Sequence, residues 1–274
     1  MSLPSDTARD FGKLDLVRDF WNESPCDGQP DYALRARFRY RKDPWLVPIL
    51  ERIAANYGNI LEVGCGQGTD GITLCGLLPA GSQYTGVDMS EVSLSRARAS
   101  ANELAAALRV TPLFQLENAE KLTFADNHFD CVLSVGALHH SANTERAISE
   151  VRRVLKPGGA AFVFLYKKSS PKVFGAHILR SVQSCLDTIF RTDRVMYRAV
   201  RAMNLGDNRG TALYECFGVP ILRSYGRRQM LALFDRFASV GLSSYGRTIR
   251  PGRQISHPHS SARLGYLWLA EARK

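Results

Sequence analysis

Leu61-Glu62-Val63-Gly64-Cys65-Gly66-Gln67-Gly68-Thr69-Asp70-Gly71 leads from a short apolar run, Ile60–Val63, through glycines into a helical pattern over 70–78. Glycines where a strand turns into a helix let the backbone fold tightly and bring a ligand against main-chain N–H groups. Gly66, Gly68 and Gly71 also spell G-x-G-x-x-G, a dinucleotide pattern that is weak by itself. Glu62 decides the frame, because a carboxylate two residues before the first glycine, pointing into the turn, would repel a pyrophosphate. It suits a cationic ligand that bears an amino acid, such as S-adenosylmethionine, whose ammonium and sulfonium need no anion hole. Twenty residues past Gly68, Asp88 ends the strand-like run Gln83–Val87. A carboxylate there can accept both ribose hydroxyls, a feature shared with NAD sites, so Asp88 indicates a nucleoside without choosing between the two.

Outward from this turn, strands and helices alternate. Ser90 caps a helical pattern to Leu108, with Leu94, Ala97, Ala101, Leu104 and Leu108 on one face. Thr111–Leu116 reads as a weaker strand because of Pro112, and Cys131–Val135 as a buried one. Asn143 or Thr144 opens a helix carrying Ile148, Val151 and Leu155; Pro157-Gly158-Gly159 stops it before the apolar strand Ala160–Tyr166. This rhythm predicts a parallel, doubly wound α/β sheet. On the N-terminal side, 14–24 and a segment starting near Asp43-Pro44 read as helices. After Tyr166 the pattern predicts a long helix over 172–205, a Gly-rich stretch, a helix over 226–237, and strands Leu242–Thr248 and Leu264–Ala270.

LEVGCGQGTD, GVDMS, NAEKLTFADNHFDCVLSVGALHHS and VRRVLKPGGAAFVFLY stand in order and at the usual spacings, and over 60–166 the chain resembles the class I S-adenosylmethionine-dependent methyltransferases, in particular the methyltransferase type 11 group. Phe20-Trp-Asn-Glu-Ser-Pro-Cys26 also resembles the start of a bacterial subset. The resemblance implies a doubly wound, seven-stranded, mostly parallel Rossmann-like sheet. It divides the chain into an N-terminal helical lid (1–57), a cofactor-binding core (58–171), a helical acceptor cap (172–225), and a closing helix with the final strand pair (226–274). It implies that Gly64, Cys65, Gly66 and Gly68 form the loop under the methionine part of the cofactor, with Glu62 setting that loop. Asp88 would hold the ribose, and Met89 would pack on the adenine. Asn118 stands where an Asp often bonds the adenine amino group, followed by Ala119 and Glu120; its amide oxygen can accept the same bond without charge assistance. Ser134 through Gly136 and Ala137 to His139 would lie beside the transferable methyl.

Methyl transfer from a sulfonium is an in-line displacement in which positioning supplies most of the rate. A base helps only when the acceptor must lose a proton, by typically ~10²–10⁴-fold. His139 and His140 follow the fourth strand, in the crevice where ligands of open sheets bind, and are the catalytic candidates for O-methylation; the competing reading is that one of them bonds backbone and holds the loop. Trp21, Asn22 and Tyr32 fall in the segment this family uses as a lid. The apolar stripe of 172–205 reads as packing on the sheet, as a pocket wall, or as a peripheral membrane contact flanked by Arg180, Arg191, Arg194, Arg198 and Arg201. Arg35, Arg37, Arg39 and Arg41 would form an anion site on a strand, but the resemblance implies a helix and hence a solvated face. His257-Pro258-His259 lacks further ligands for a metal.

Composition bounds these readings. The chain has 274 residues, 45% hydrophobic and 23% charged, as in a globular protein with a sizeable core. The opening Met1-Ser-Leu-Pro-Ser-Asp lacks the blocks of a signal peptide, which gives a cytoplasmic expectation. Six cysteines without a C-x-x-C pair argue against a disulfide framework or a zinc site. Net charge is +10, yet residues 1–159 hold 17 basic and 20 acidic residues, whereas 160–274 hold 19 and 6. The surplus therefore concerns the acceptor side, in the region 172–263. A small-molecule acceptor, anionic or partly apolar, leads; RNA methylation is the alternative, against which stands the lack of an RNA-binding module or an N/D-P-P-Y tetrapeptide. A non-catalytic cofactor- or lipid-binding protein is the third reading.

Overall fold

The computed structural model describes residues 6–26, 29, 31–203, 213, 216–246 and 265–274. Three helices come first: α1 (Asp6–Glu23), α2 (Tyr32–Lys42) and α3 (Leu46–Asn56). The alternating core follows as β1 (Asn59–Val63), α4 (Thr69–Leu77), β2 (Gln83–Asp88), α5 (Glu91–Glu103), β3 (Leu113–Leu116), β4 (Phe129–Val135), α6 (Thr144–Val154) and β5 (Leu155–Tyr166). Then come α7 (Pro171–Phe190), α8 (Val195–Ala202), α9 (Arg227–Leu233), β6 (Ser239–Tyr245) and β7 (Leu267–Arg273).

The seven strands form one sheet in the order β3-β2-β1-β4-β5-β7-β6. The first five are parallel, and β7 runs antiparallel between β5 and β6. β2 and β4 flank β1 on opposite sides, so strand order reverses there and opens a crevice at the carboxyl ends. Apolar side chains cover both sheet faces. Leu46, Ile49, Leu50 and Ile53 of α3 join Leu94 and Ala97 of α5 on one side. Ala147, Ile148 and Val151 of α6 join Met230 of α9 on the other. Each of these side chains stabilises the fold by about 1.5–3 kcal/mol when it is a fully buried Leu, Ile, Val or Met. A satellite cluster of Phe20, Tyr197, Val200, Phe217 and Val219 ties α1 to α8.

Three expectations change. The helix after Ser90 ends at Glu103, and Ala105–Ala107 form a separate tight turn, because these alanines are exposed and bury nothing that would extend the helix. Pro157-Gly158-Gly159 does not separate helix from strand: β5 starts at Leu155 opposite Phe129, and the register shifts before Cys131 pairs with Ala160. The helix over 172–205 is two helices, broken where Arg191 and Arg194 adopt positive φ. Asp187 causes the break by accepting the N–H groups of Arg194 and Val195 (3.0 and 2.8 Å), which caps α8. The helix expected from near Asp43-Pro44 is α3, starting at Leu46, and a separate helix, α2, ends just before it at Lys42. His257 and His259, and the ends of the closing strands at Thr248 and Leu264, lie outside the described residues.

Candidate active site

The glycine turn leaves β1 with positive φ at Gly64, Gly66 and Gly68 (78°, 52° and 74°), each for a different reason. A Cβ on Gly64 would sit 2.1 Å from that of Ala137, so the β1 and β4 loops touch there. A Cβ on Gly68 would meet Ala97 and Phe114 at 2.9 Å, so this glycine serves helix–sheet packing. Around Gly66 nothing lies within 4 Å, which leaves its backbone open to a ligand. Gly64 and Cys65 donate their N–H groups to Val87 O, and Gly66 donates to Asp88 Oδ2 (2.8 Å). Ser90 N–H donates to Asp88 Oδ1 (2.9 Å). The two carboxylate oxygens together can accept about four hydrogen bonds, so the group keeps acceptor capacity for a ribose hydroxyl beside its backbone partners. Burial raises the Asp88 pKa, and the amide bonds from Ser90 and Gly66 oppose it.

Glu62 sits in the core rather than in the turn. It is buried, and Tyr84 Oη donates to Oε2. Burial, with Asp70 nearby, pushes its pKa up to about 8. A neutral carboxylic acid facing the sheet interior does not repel a pyrophosphate, so that part of the sequence argument gives way. What remains is support of the loop from beneath. The stability contributed by neutral Glu62 is complete below its ordinary value of 4.5 and is lost as pH rises through about 8. Glu62→Gln should match the parent in Tm near pH 5 and exceed it near pH 9, as read by thermal unfolding across that range.

The cleft runs along the carboxyl ends of β1, β2 and β4. Gly64, Gly66, Asp88, Met89, Asn118, Ala119 and Gly136 border it, with Val63, Val87 and Val135 beneath. Asn118 Oδ1 already accepts Glu120 N–H (2.9 Å) and keeps one lone pair for an adenine amine. Other expected residues stand behind this lining. Glu120 turns away to accept Asn143 N–H (2.9 Å) at the start of α6. Ser134 lies wholly inside the sheet. The Cys65 thiol is buried, and burial pushes its pKa well up, which leaves it inert as a nucleophile. These residues shape the cleft without reaching it.

Helix α1 forms the roof. Leu14, Val17 and Trp21, spaced three and four apart, face the cleft, with Cys26 beyond. Trp21 meets the His140 ring edge-on at 5.4 Å. His140 lines the cleft and His139 does not. His139 is fully buried and stacks on Tyr166 at 3.9 Å. His140 Nδ1 lies 2.7 Å from Ile221 O. A carbonyl only accepts, so Nδ1 carries the hydrogen and the lone pair of the neutral ring lies on Nε2.

Sequence reasoning missed Leu14, Ser93, Glu117, Ser141 and Cys26 as cleft residues. The helical spacing of Leu14, Val17 and Trp21 was the available signal for the first. The Arg-rich helix also differs from expectation. Arg35 is fully buried and donates to Ser100 Oγ (2.8 Å), Gln67 O (3.3 Å) and Gln29 O (3.1 Å). Arg39 pairs with Asp70 at 2.7 Å, and Tyr40 Oη donates to the same carboxylate at 3.1 Å. Arg35 and Arg39 therefore clamp the glycine turn and the first turn of α4, while Arg37 and Arg41 are exposed as expected.

A family model described as methyltransferase domain matches residues 61–163. Among curated proteins, the chain is similar to an O-methyltransferase, resE, of Aspergillus sclerotiorum, 32% identical over 108 residues, or 39% of each chain. It is 36% identical over 103 residues to a demethylmenaquinone methyltransferase of Symbiobacterium thermophilum, covering 37% of this chain and 39% of that protein. The chain thus spans well under half the length of the curated relatives it matches. A solved S-adenosylmethionine-dependent methyltransferase from Thermotoga maritima shares the fold, with a TM-score of 0.55 at 15% identity over 94% of this chain and 99% of that one. Family match and sheet order agree: residues 61–163 match the methyltransferase domain family, on a fold shared with a solved S-adenosylmethionine-dependent methyltransferase.

Proposed function

We propose that this protein transfers a methyl group from S-adenosylmethionine to an oxygen of a small, partly apolar molecule, with His140 as the base. The observation that carries this reading is the placement of His140 on the same cleft as Asp88 and the open Gly66, with its tautomer set by Ile221. Asp88 would hold the ribose, Met89 and Ala119 the adenine faces, and the backbone at Gly66 the methionine end. When bound, the cofactor supplies an electrophilic methyl. Nε2 of His140 takes the acceptor's hydroxyl proton as the oxygen attacks in line, while α1 keeps water out. Leu14, Val17, Trp21 and Leu138 make the acceptor end apolar, and no Lys or Arg lines the cleft among the described residues, which favours a small apolar acceptor over RNA.

The test is transfer of a labelled methyl group from the cofactor to a metabolite extract, with the product identified by mass. His140→Ala should lower kcat by about 10²-fold or more and leave cofactor affinity unchanged. His139→Ala should act through loop order instead, lowering Tm along with activity. If both variants keep turnover within about threefold of the parent, the proton-transfer role is lost.

A further inference from the structure

Helix α7 carries an apolar face that nothing among the described residues covers. Its inner side is well held. Gln183 Nε2 donates to Phe217 O (3.0 Å), and Arg180 Nη1 donates to Cys216 O and Val219 O (3.0 and 2.9 Å). Arg180, expected to flank the apolar stripe, is thus turned inward, and Arg201 pairs with Glu23 at 2.6 Å. On the outer side Phe174, Ile178, Val182 and Ile189 are 63%, 48%, 43% and 70% exposed. Their spacing puts them on one stripe of the helix, and Phe190 extends it at the C-terminal end. The 20 residues of α7 span about 30 Å, so the stripe is long, and exposed apolar surface of this extent marks an interaction site.

We propose that this face of α7 lies on an anionic lipid surface, with the helix axis parallel to the membrane. Charge selects this occupant. Residues 167–203 hold eight Lys or Arg against two carboxylates, Asp187 and Asp193; Lys168, Lys172, Arg191, Arg198 and Arg201 are exposed, whereas Lys167 is buried and Arg180 faces inward. Asp187 is engaged in capping α8, and Asp193 lies beside Arg194 (3.8 Å). None of the exposed residues of α7 is acidic. A second copy of the chain, packed through the same face, would set two basic surfaces together, whereas an anionic leaflet attracts one. An apolar stripe bearing Phe, with Lys172 and Arg191 exposed at the two ends of the helix, fits a helix that lies in the interface. Among the described residues no helix is long and apolar enough to cross a membrane, so α7 rests on the surface. Methyl transfer and membrane contact are separable here, because vesicle binding needs no cofactor.

The test is flotation of the full chain with vesicles of phosphatidylglycerol in phosphatidylcholine, against phosphatidylcholine alone. The protein should float with the anionic vesicles, about tenfold less with the neutral ones, and less as salt rises. The triple variant Phe174→Ser, Ile178→Ser, Ile189→Ser should lose flotation by about tenfold or more at unchanged Tm. Arg191→Glu with Arg198→Glu should lose it on the anionic vesicles. A parent that stays unbound at low salt overturns the proposal, as does flotation undiminished in the triple variant. A Tm fall in that variant without flotation of the parent would assign the face to contacts within the chain. A dimer seen by light scattering and abolished by the same substitutions, again without flotation, would assign it to a second copy.

Discussion

Asp88→Ala is expected to weaken S-adenosylmethionine binding by about 10²–10⁴-fold, read by titration calorimetry. The magnitude follows from two charge-assisted hydrogen bonds to the ribose hydroxyls, each contributing about 1.5–3 kcal/mol. A second effect adds to it. Asp88 Oδ2 also accepts the N–H of Gly66, so the substitution releases the loop that must lie under the methionine end. Asp88→Asn separates the two contributions. Its one carbonyl oxygen keeps two of the four acceptor positions, and its NH2 cannot accept, so it should fall between parent and Ala. Equal affinity in parent and Ala variant would remove Asp88 from the cofactor site.

Gly71→Ala should be strongly destabilising. A Cβ there would lie 1.9 Å from Tyr84 Oη and 2.3 Å from Cζ. Tyr84 cannot yield easily, since it is buried, packs against Phe114, and donates to Glu62. Moving it strands the buried Glu62 carboxyl. Overpacking costs about 1–3 kcal/mol and an unsatisfied buried polar group about 1–3 more. Out of a total stability of about 5–15 kcal/mol, that is a large share. We expect Tm to fall by roughly 5–20 °C. Gly66→Ala is the informative contrast, because nothing lies within 4 Å of its added carbon. There the positive φ costs about 1–2 kcal/mol, so Tm moves little while cofactor binding suffers. Two glycines of one G-x-G-x-x-G string thus fail in different ways, one in folding and one in binding.

The sheet could be read from the sequence because each short apolar run ended at glycine or a capping residue, as at Val63–Gly64 and Asp88–Ser90. That Gly66, Asp88, Met89 and Asn118 share one cleft was readable for the same reason, since they follow strand ends that topology brings together. Where tertiary contacts decide, local pattern fell short. Arg35 looked like one of four surface arginines until α2 packed on the glycine turn and buried it against Gln67 and Ser100. Glu62 looked like a charge facing the ligand until Tyr84, 22 positions on, took its carboxyl into the core. His139 and His140 were equivalent in sequence; only Tyr166 on one side and Ile221 on the other tell them apart. The break between α7 and α8 turned on one Asp187 side chain reaching forward seven and eight residues.

The central claim is that the cleft over Asp88 and Gly66 is built for S-adenosylmethionine rather than a nicotinamide dinucleotide. Titration calorimetry of the parent protein with both ligands tests it most directly. Saturable binding of S-adenosylmethionine at one site per chain, lost in Asp88→Ala, is expected, with no measurable heat from NADH. Tight binding of NADH with no response to S-adenosylmethionine would contradict it.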